Sequence, residues 1–169
     1  MYNGFSEESL RKIAQQKVNF RYSVKIHLGI FTIVSILLLL INLIFTPLVL
    51  WIMYPFFGWL IGVSIHIIAY LLYARGVYPM AKRGLIFHLD AFIFTLLFLT
   101  LINLVTLPQF LWVLYPIIFW GVAIIIHILI YLVYYSSTKI NDQGKLESKK
   151  SRAVEKELEK MKKKYKTKN

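Results

Sequence analysis

The residues Trp51-Ile52-Met53-Tyr54-Pro55-Phe56-Phe57-Gly58-Trp59, followed by His66, Tyr70 and Tyr73, decide how the chain is built, because they occur twice. Sixty-one positions later it reads Trp112-Val113-Leu114-Tyr115-Pro116-Ile117-Ile118-Phe119-Trp120, then His127, Tyr131 and Tyr134. The same offset, without a gap, relates His27 to His88, Asn42 to Asn103 and Pro47 to Pro108. A repeat of this length is a whole supersecondary unit.

Four apolar segments carry the repeat, at about residues 23–45, 49–74, 84–106 and 110–135. Each reaches the roughly 20 residues that a helix needs to cross a ~30 Å hydrocarbon core. Hydrophobic residues make up 58% of the 169 and charged residues 17%. Most of that charge lies at the two ends and in one short middle segment. The pattern predicts an all-α integral membrane protein: four transmembrane helices forming two tandem helical hairpins in a four-helix bundle. The absence of cysteine excludes disulfides, thiolate metal sites and cysteine nucleophiles. The polar opening does not have the short charged region and apolar core of a cleavable signal, so the first apolar run is expected to stay in the membrane.

In chain order, residues 1–21 are expected to form an amphipathic cytoplasmic lead-in helix. Ser6 is its N-cap, Glu7 and Glu8 sit in the favourable first turn, and Phe5 with Leu10 has staple spacing. Residues 22–75 form the first hairpin, 76–83 a basic link and 84–136 the second hairpin. Residues 137–169 form a basic tail helix. Lys and Arg crowd the two ends and the middle link but avoid both hairpin tips. Positive residues stay inside, so both termini are expected in the cytoplasm and the chain in the plasma membrane as a multi-pass protein. Pro55 and Pro116 leave two alternatives: each kinks a helix already under way, or sits in the first turn of a helix starting near its own position.

At 100° per residue, Pro55, Trp59, Gly62, Tyr70 and Tyr73 all lie within about 40° of His66. Pro116, Trp120, Ala123, Tyr131 and Tyr134 share a stripe with His127 in the same way. His27 stands twenty residues before Pro47 and His66 nineteen after it, and His88 and His127 straddle Pro108 likewise. Antiparallel hairpins place such positions at one level, which predicts a layer of four histidines roughly 6–12 Å below the inner surface.

Three readings compete for that layer. The imidazoles could bond a tyrosine, a serine such as Ser35 or Ser64, or a carbonyl, and so hold the helices together. They could ligate haem b or a transition metal, with Gly62, Ala123, Trp59, Trp120, Tyr70 and Tyr131 lining the site. They could also sense or relay protons. Asn42 and Asn103 are expected to hydrogen-bond across helices. Asp90, whose counterpart is Gly29, breaks the repeat and is expected to pair locally with Arg83.

The tail from 137 onward holds twelve Lys or Arg and five acids. Val154, Leu158, Met161 and Tyr165 make a stripe along it, which suits anionic lipid, a cytoplasmic partner or self-association into a homo-oligomer. Nothing in it suggests nucleic acid, because no base-reading fold is present.

Each half resembles the prokaryotic two-transmembrane (2TM) domain family, on Lys25-Ile26-His27, Ile41-Asn42, Leu50-Trp51, Pro55, Gly58-Trp59 and His66. The second copy offers Arg83, His88, Ile102-Asn103, Leu111-Trp112, Pro116, Trp120 and His127 over a match spanning roughly residues 17 to 135. Phe119 stands where Gly58 stands, so the second copy is expected to pack differently. The resemblance implies a membrane module that stands alone or precedes a signalling domain, and it implies no activity. With one acid in the spans and no phosphate loop, catalysis by protein groups has little support. The expected role is a non-enzymatic interaction or signalling accessory. The alternative is a small haem- or metal-binding protein using His27, His66, His88 and His127.

Overall fold

The computed structural model describes residues 6–74, 80–140 and 146–166. Helix α1 spans Glu7–Phe45, α2 Met53–Ala74, α3 Met80–Thr106 and α4 Leu114–Ile130, which runs on into a π-helical turn at Tyr131–Tyr135. Strands β1 (Ser137–Ile140) and β2 (Leu146–Ser148) then pair antiparallel before α5, Lys149–Lys166.

The Ser6 cap is formed: its Oγ accepts from Ser9 N at 3.2 Å, and the Ser9 hydroxyl returns a bond to Ser6 O at 2.7 Å. Phe5, the other half of the expected staple, lies outside the described residues. The lead-in and the first span are not separate elements. No proline or glycine interrupts the run from Glu7 to Leu28, so α1 is one helix of 39 residues. At 1.5 Å per residue it is about 58 Å long, nearly twice a hydrocarbon core, and its N-terminal part must project beyond the bilayer.

Each hairpin tip is closed by one asparagine. The Asn42 carboxamide donates from Nδ2 to Thr46 O (2.9 Å) and Val49 O (2.8 Å), and its Oδ1 accepts from Ile52 N (2.9 Å). Asn103 repeats the pattern with Leu107 O, Phe110 O and Val113 N at 2.9, 2.9 and 2.8 Å. Both side chains are wholly buried. The asparagines therefore bond the backbone of the tip and the entry to the next helix, a correction to the cross-helix role expected of them. A tight turn leaves backbone groups without partners in either helix, and a buried carboxamide supplies both donors and acceptor.

The proline question resolves to the first-turn alternative. Pro55 is the third residue of α2 and Pro116 the third of α4, where the missing N–H would have had no partner inside the helix.

By length and composition, four helices among the described residues can cross a membrane: Glu7–Phe45, Met53–Ala74, Ala81–Thr106 and Leu114–Tyr135. They pack in chain order, α1 on α2, α2 on α3 and α3 on α4, with the α2–α3 contact the most extensive. Among the described residues, α1 and α4 have no comparable contact. The core is thin: among the described residues, Phe31, Ile52, Val63, Leu72, Leu96, Val113 and Ile124 are its buried apolar side chains. Most other apolar side chains face outward, as suits a lipid solvent.

The tail is not one helix from 137. Ser137, Lys139 and Ile140 pair with Ser148, Glu147 and Leu146 before α5 begins. Hydroxyl and β-branched residues at Ser137-Thr138 and Ile140 favour extended backbone. Asn141-Asp142-Gln143-Gly144, outside the described residues, are turn-forming types.

Candidate functional site

The four histidines meet as two couples, one inside each hairpin. His27 on α1 and His66 on α2 place their Nδ1 atoms 3.4 Å apart, with ring centroids at 5.2 Å. His88 on α3 and His127 on α4 do the same at 3.0 Å and 5.2 Å. The near-equal spacing of each pair from its tip proline, twenty residues before and nineteen after, brings the two members of each couple together. Among the described residues, no group of three or more His, Cys, Asp or Glu side chains comes together that could hold a metal ion.

A tryptophan completes each couple. Trp59 Nε1 donates to His27 Nε2 at 2.9 Å, and Trp120 Nε1 donates to His88 Nε2 at 2.8 Å. Trp59 sits two turns before His66 on the same stripe of α2. Its indole is held edge-on by Phe31, with centroids 5.6 Å apart, and Phe92 holds Trp120 at the same distance.

Because an indole nitrogen can only donate, it fixes the proton positions. His27 Nε2 must be the acceptor, so neutral His27 carries its hydrogen on Nδ1. That hydrogen faces His66 Nδ1, which must then accept, leaving the His66 hydrogen on Nε2, 3.4 Å from Ser23 Oγ. The chain of donors runs one way: Trp59, His27, His66, Ser23. Trp120, His88 and His127 repeat its first three members. Both lone pairs of each neutral couple are taken. A haem iron or metal needs a free imidazole lone pair, so ligation here requires a Trp–His or His–His bond to break. The donor set as arranged does not fit a ligated group, and it does fit a polar clasp between two helices.

The couples differ at their ends away from the hairpin tips. In the first hairpin Phe20 packs on His66, Tyr70 and Tyr73, with centroids 5.5, 5.7 and 5.9 Å away. Its counterpart in the second hairpin is Ala81, and Ser23 is matched by Gly84. Loss of the phenyl ring leaves a recess of about 430 Å³ lined by Ala81, Ala123, His127, Ile130, Tyr131 and Tyr135. Beside it, a space of about 550 Å³ between Ala81, Tyr135 and the start of α5 is bordered by Ser148, Lys150 and Ser151. The Lys149 and Lys150 ammonium groups lie over the rings of Tyr134 and Tyr135, at 5.4 and 4.8 Å. Among the described residues, Gly62 meets nothing within 4 Å of where a β-carbon would stand, so its smallness serves no helix contact there.

Ser64 does not bond an imidazole. Its hydroxyl points to Asp90 Oδ2 at 3.0 Å, with Ile61 O a second acceptor at 2.8 Å. Asp90, expected to pair with Arg83, thus has a partner on the other hairpin, and both Ser64 and Asp90 are buried. This polar bridge between α2 and α3 was missed by reading the sequence. The available signal was that both residues break the repeat: Ser64 is matched by Ile125, and Asp90 by Gly29.

The family model described as "2TM domain" matches the chain twice, over residues 12–75 and 80–155. Each match holds one hairpin with its clasp, and the second extends through the ribbon into α5. No curated protein and no solved structure matches.

Proposed function

The chain belongs to the 2TM domain family, with two copies in tandem, and on that footing we propose a non-enzymatic role as an interaction or signalling accessory at the plasma membrane. Both termini face the cytoplasm, and α5 rests on the anionic headgroups of the inner leaflet. The observation that carries the reading is α5 itself. Val154, Leu158 and Met161 make one apolar stripe on a lysine-rich helix, and all three are exposed. Anionic lipid attracts juxtamembrane Lys and Arg by about 1 kcal/mol each, and the stripe has apolar surface to bury beneath them. Within the spans, Asn42, Asn103, His27, His66, His88 and Asp90 are all hydrogen-bonded to other parts of the protein. That leaves α5 as the element best suited to polar contacts outside the spans.

The test uses a spin label at L158C in vesicles. In phosphatidylglycerol-rich vesicles the label is expected to be slowed and shielded from aqueous relaxants. In pure phosphatidylcholine it should be mobile and accessible. Equal mobility and water access in both would defeat the reading.

A further inference from the structure

We propose that two copies of this chain associate in the membrane, α4 of each seated on α1 of the other, so that four hairpins close into one ring. The proposal rests on the repeat and the packing of the spans, independently of how α5 is used.

Hairpin one meets hairpin two through α2 and α3. The same step applied to hairpin two would bring α4 against the α1 of a following unit. A head-to-tail contact of this kind continues until the rotation closes. Among the described residues of one chain, both matching faces are left open. Ser64 and Leu72 on α2 are each 7% exposed, whereas their twins, Ile125 on α4 and Val133 in the π-helical turn that continues it, are 58% and 51% exposed. Asp90 on α3 is 8% exposed, whereas Leu37 on α1, the twin of Phe98, is 54% exposed, and Gly29, the twin of Asp90, is exposed as well.

Lipid would accept any apolar face, so exposure alone does not identify a partner. Side-chain size does. Where α2 has Gly58, with a Phe98 ring carbon 3.8 Å from its would-be β-carbon, α4 has Phe119 and α1 has the smaller Leu37. Where α2 has Ser64 and α3 has Asp90, α4 has Ile125 and α1 has Gly29. At both points the α4 side grows and the α1 side shrinks, and the polar pair gives way to an apolar pair together. Coupled changes of this kind keep two faces complementary, and glycine allows a close helix approach in lipid. The departure at Phe119 is thereby explained: it is a knob for a second copy, not a fault in the repeat.

The chain has no cysteine, so disulfide trapping is clean. Differently tagged G29C and I125C chains are co-expressed and oxidised in native membranes. Gly29 has open space at its β-carbon and Ile125 is exposed, so neither change threatens the fold. The expected result is a mixed cross-linked dimer that neither variant forms alone, with S64C/D90C in one chain as the positive control. The proposal fails if the control closes and the mixed pair does not. It fails equally if G29C/I125C closes only inside a single chain, with α4 folding onto its own α1. The unsubstituted chain should run as a dimer by native mass spectrometry in mild detergent, and a strict monomer there would overturn the proposal too.

Discussion

Trp59 holds His27 by a 2.9 Å hydrogen bond from its indole nitrogen, and through it sets the direction of every bond in the first histidine couple. Removing that donor as W59F leaves His27 Nε2 without a partner. Interhelical hydrogen bonds in membranes measure about 0.6 kcal/mol on average and reach about 1.7 kcal/mol. A double-mutant cycle between W59F and H27F is expected to return a coupling in that range, read from unfolding in mixed micelles. Strict additivity would mean that the bond does not order the clasp.

Asn42 and Asn103 offer a sharper sign test. N42D keeps the shape but turns the two-hydrogen donor into an acceptor facing Thr46 O and Val49 O. Each buried group left without a partner costs about 1–3 kcal/mol. N42D and N103D should therefore both fold poorly, with losses several-fold larger than those of nearby lipid-facing substitutions such as I44V. Wild-type thermal stability of N42D in detergent would remove the asparagine from its place as tip closure.

Ligand binding should be weak while the clasps stand. Haem or zinc added to the purified chain is expected to leave a bare protein spectrum and no stoichiometric metal, because each neutral couple has both lone pairs engaged. W59F, which frees His27 Nε2, is the variant most open to ligation. A Soret band in the unsubstituted protein that sharpens on reduction and vanishes in H66A would reverse this and make the couples a haem site.

How much of this was legible beforehand follows from what periodicity encodes. Near-equal distances from Pro47 and Pro108 brought the right histidines together, and the stripe put Trp59 and Trp120 beside them. The indole-to-imidazole bond, however, depends on how far a side chain reaches between helices, and a helical wheel has no such dimension. The Ser64–Asp90 bridge needed to know that α2 faces α3, and no pattern within one hairpin carries that. The continuous α1 was hidden by a change of polarity near Tyr22, which marks the water boundary without breaking a helix. The ribbon before α5 was hidden by the tail's charge, which outweighed the turn-forming residues at 141–144.

The second clasp lacks the serine that ends the first, and Gly84 marks the vacancy. Among the described residues, nothing lies within 4 Å of its would-be β-carbon, so a side chain fits. Alanine there gains about 0.5–1 kcal/mol by helix propensity alone, and serine gains less by that route. If the hydroxyl reaches His127 Nε2 as Ser23 reaches His66, G84S should nonetheless match or exceed G84A in thermal stability. G84S falling clearly below G84A would show that the directed chain ends at His127.

The Ser64–Asp90 bridge can be exchanged for its apolar twin. S64I alone presses a branched side chain against a buried carboxyl and removes its donor, so a loss of about 1–3 kcal/mol is expected from the orphaned group, with crowding added. The double variant S64I/D90G installs the Ile125 and Gly29 pair at the α2–α3 contact and removes both the orphan and the bulk. It should recover most of what S64I loses, measured as unfolding midpoint in one detergent series. Losses that simply add would show that the two residues do not act as one contact, and would weaken the argument that paired changes at α4 and α1 preserve one.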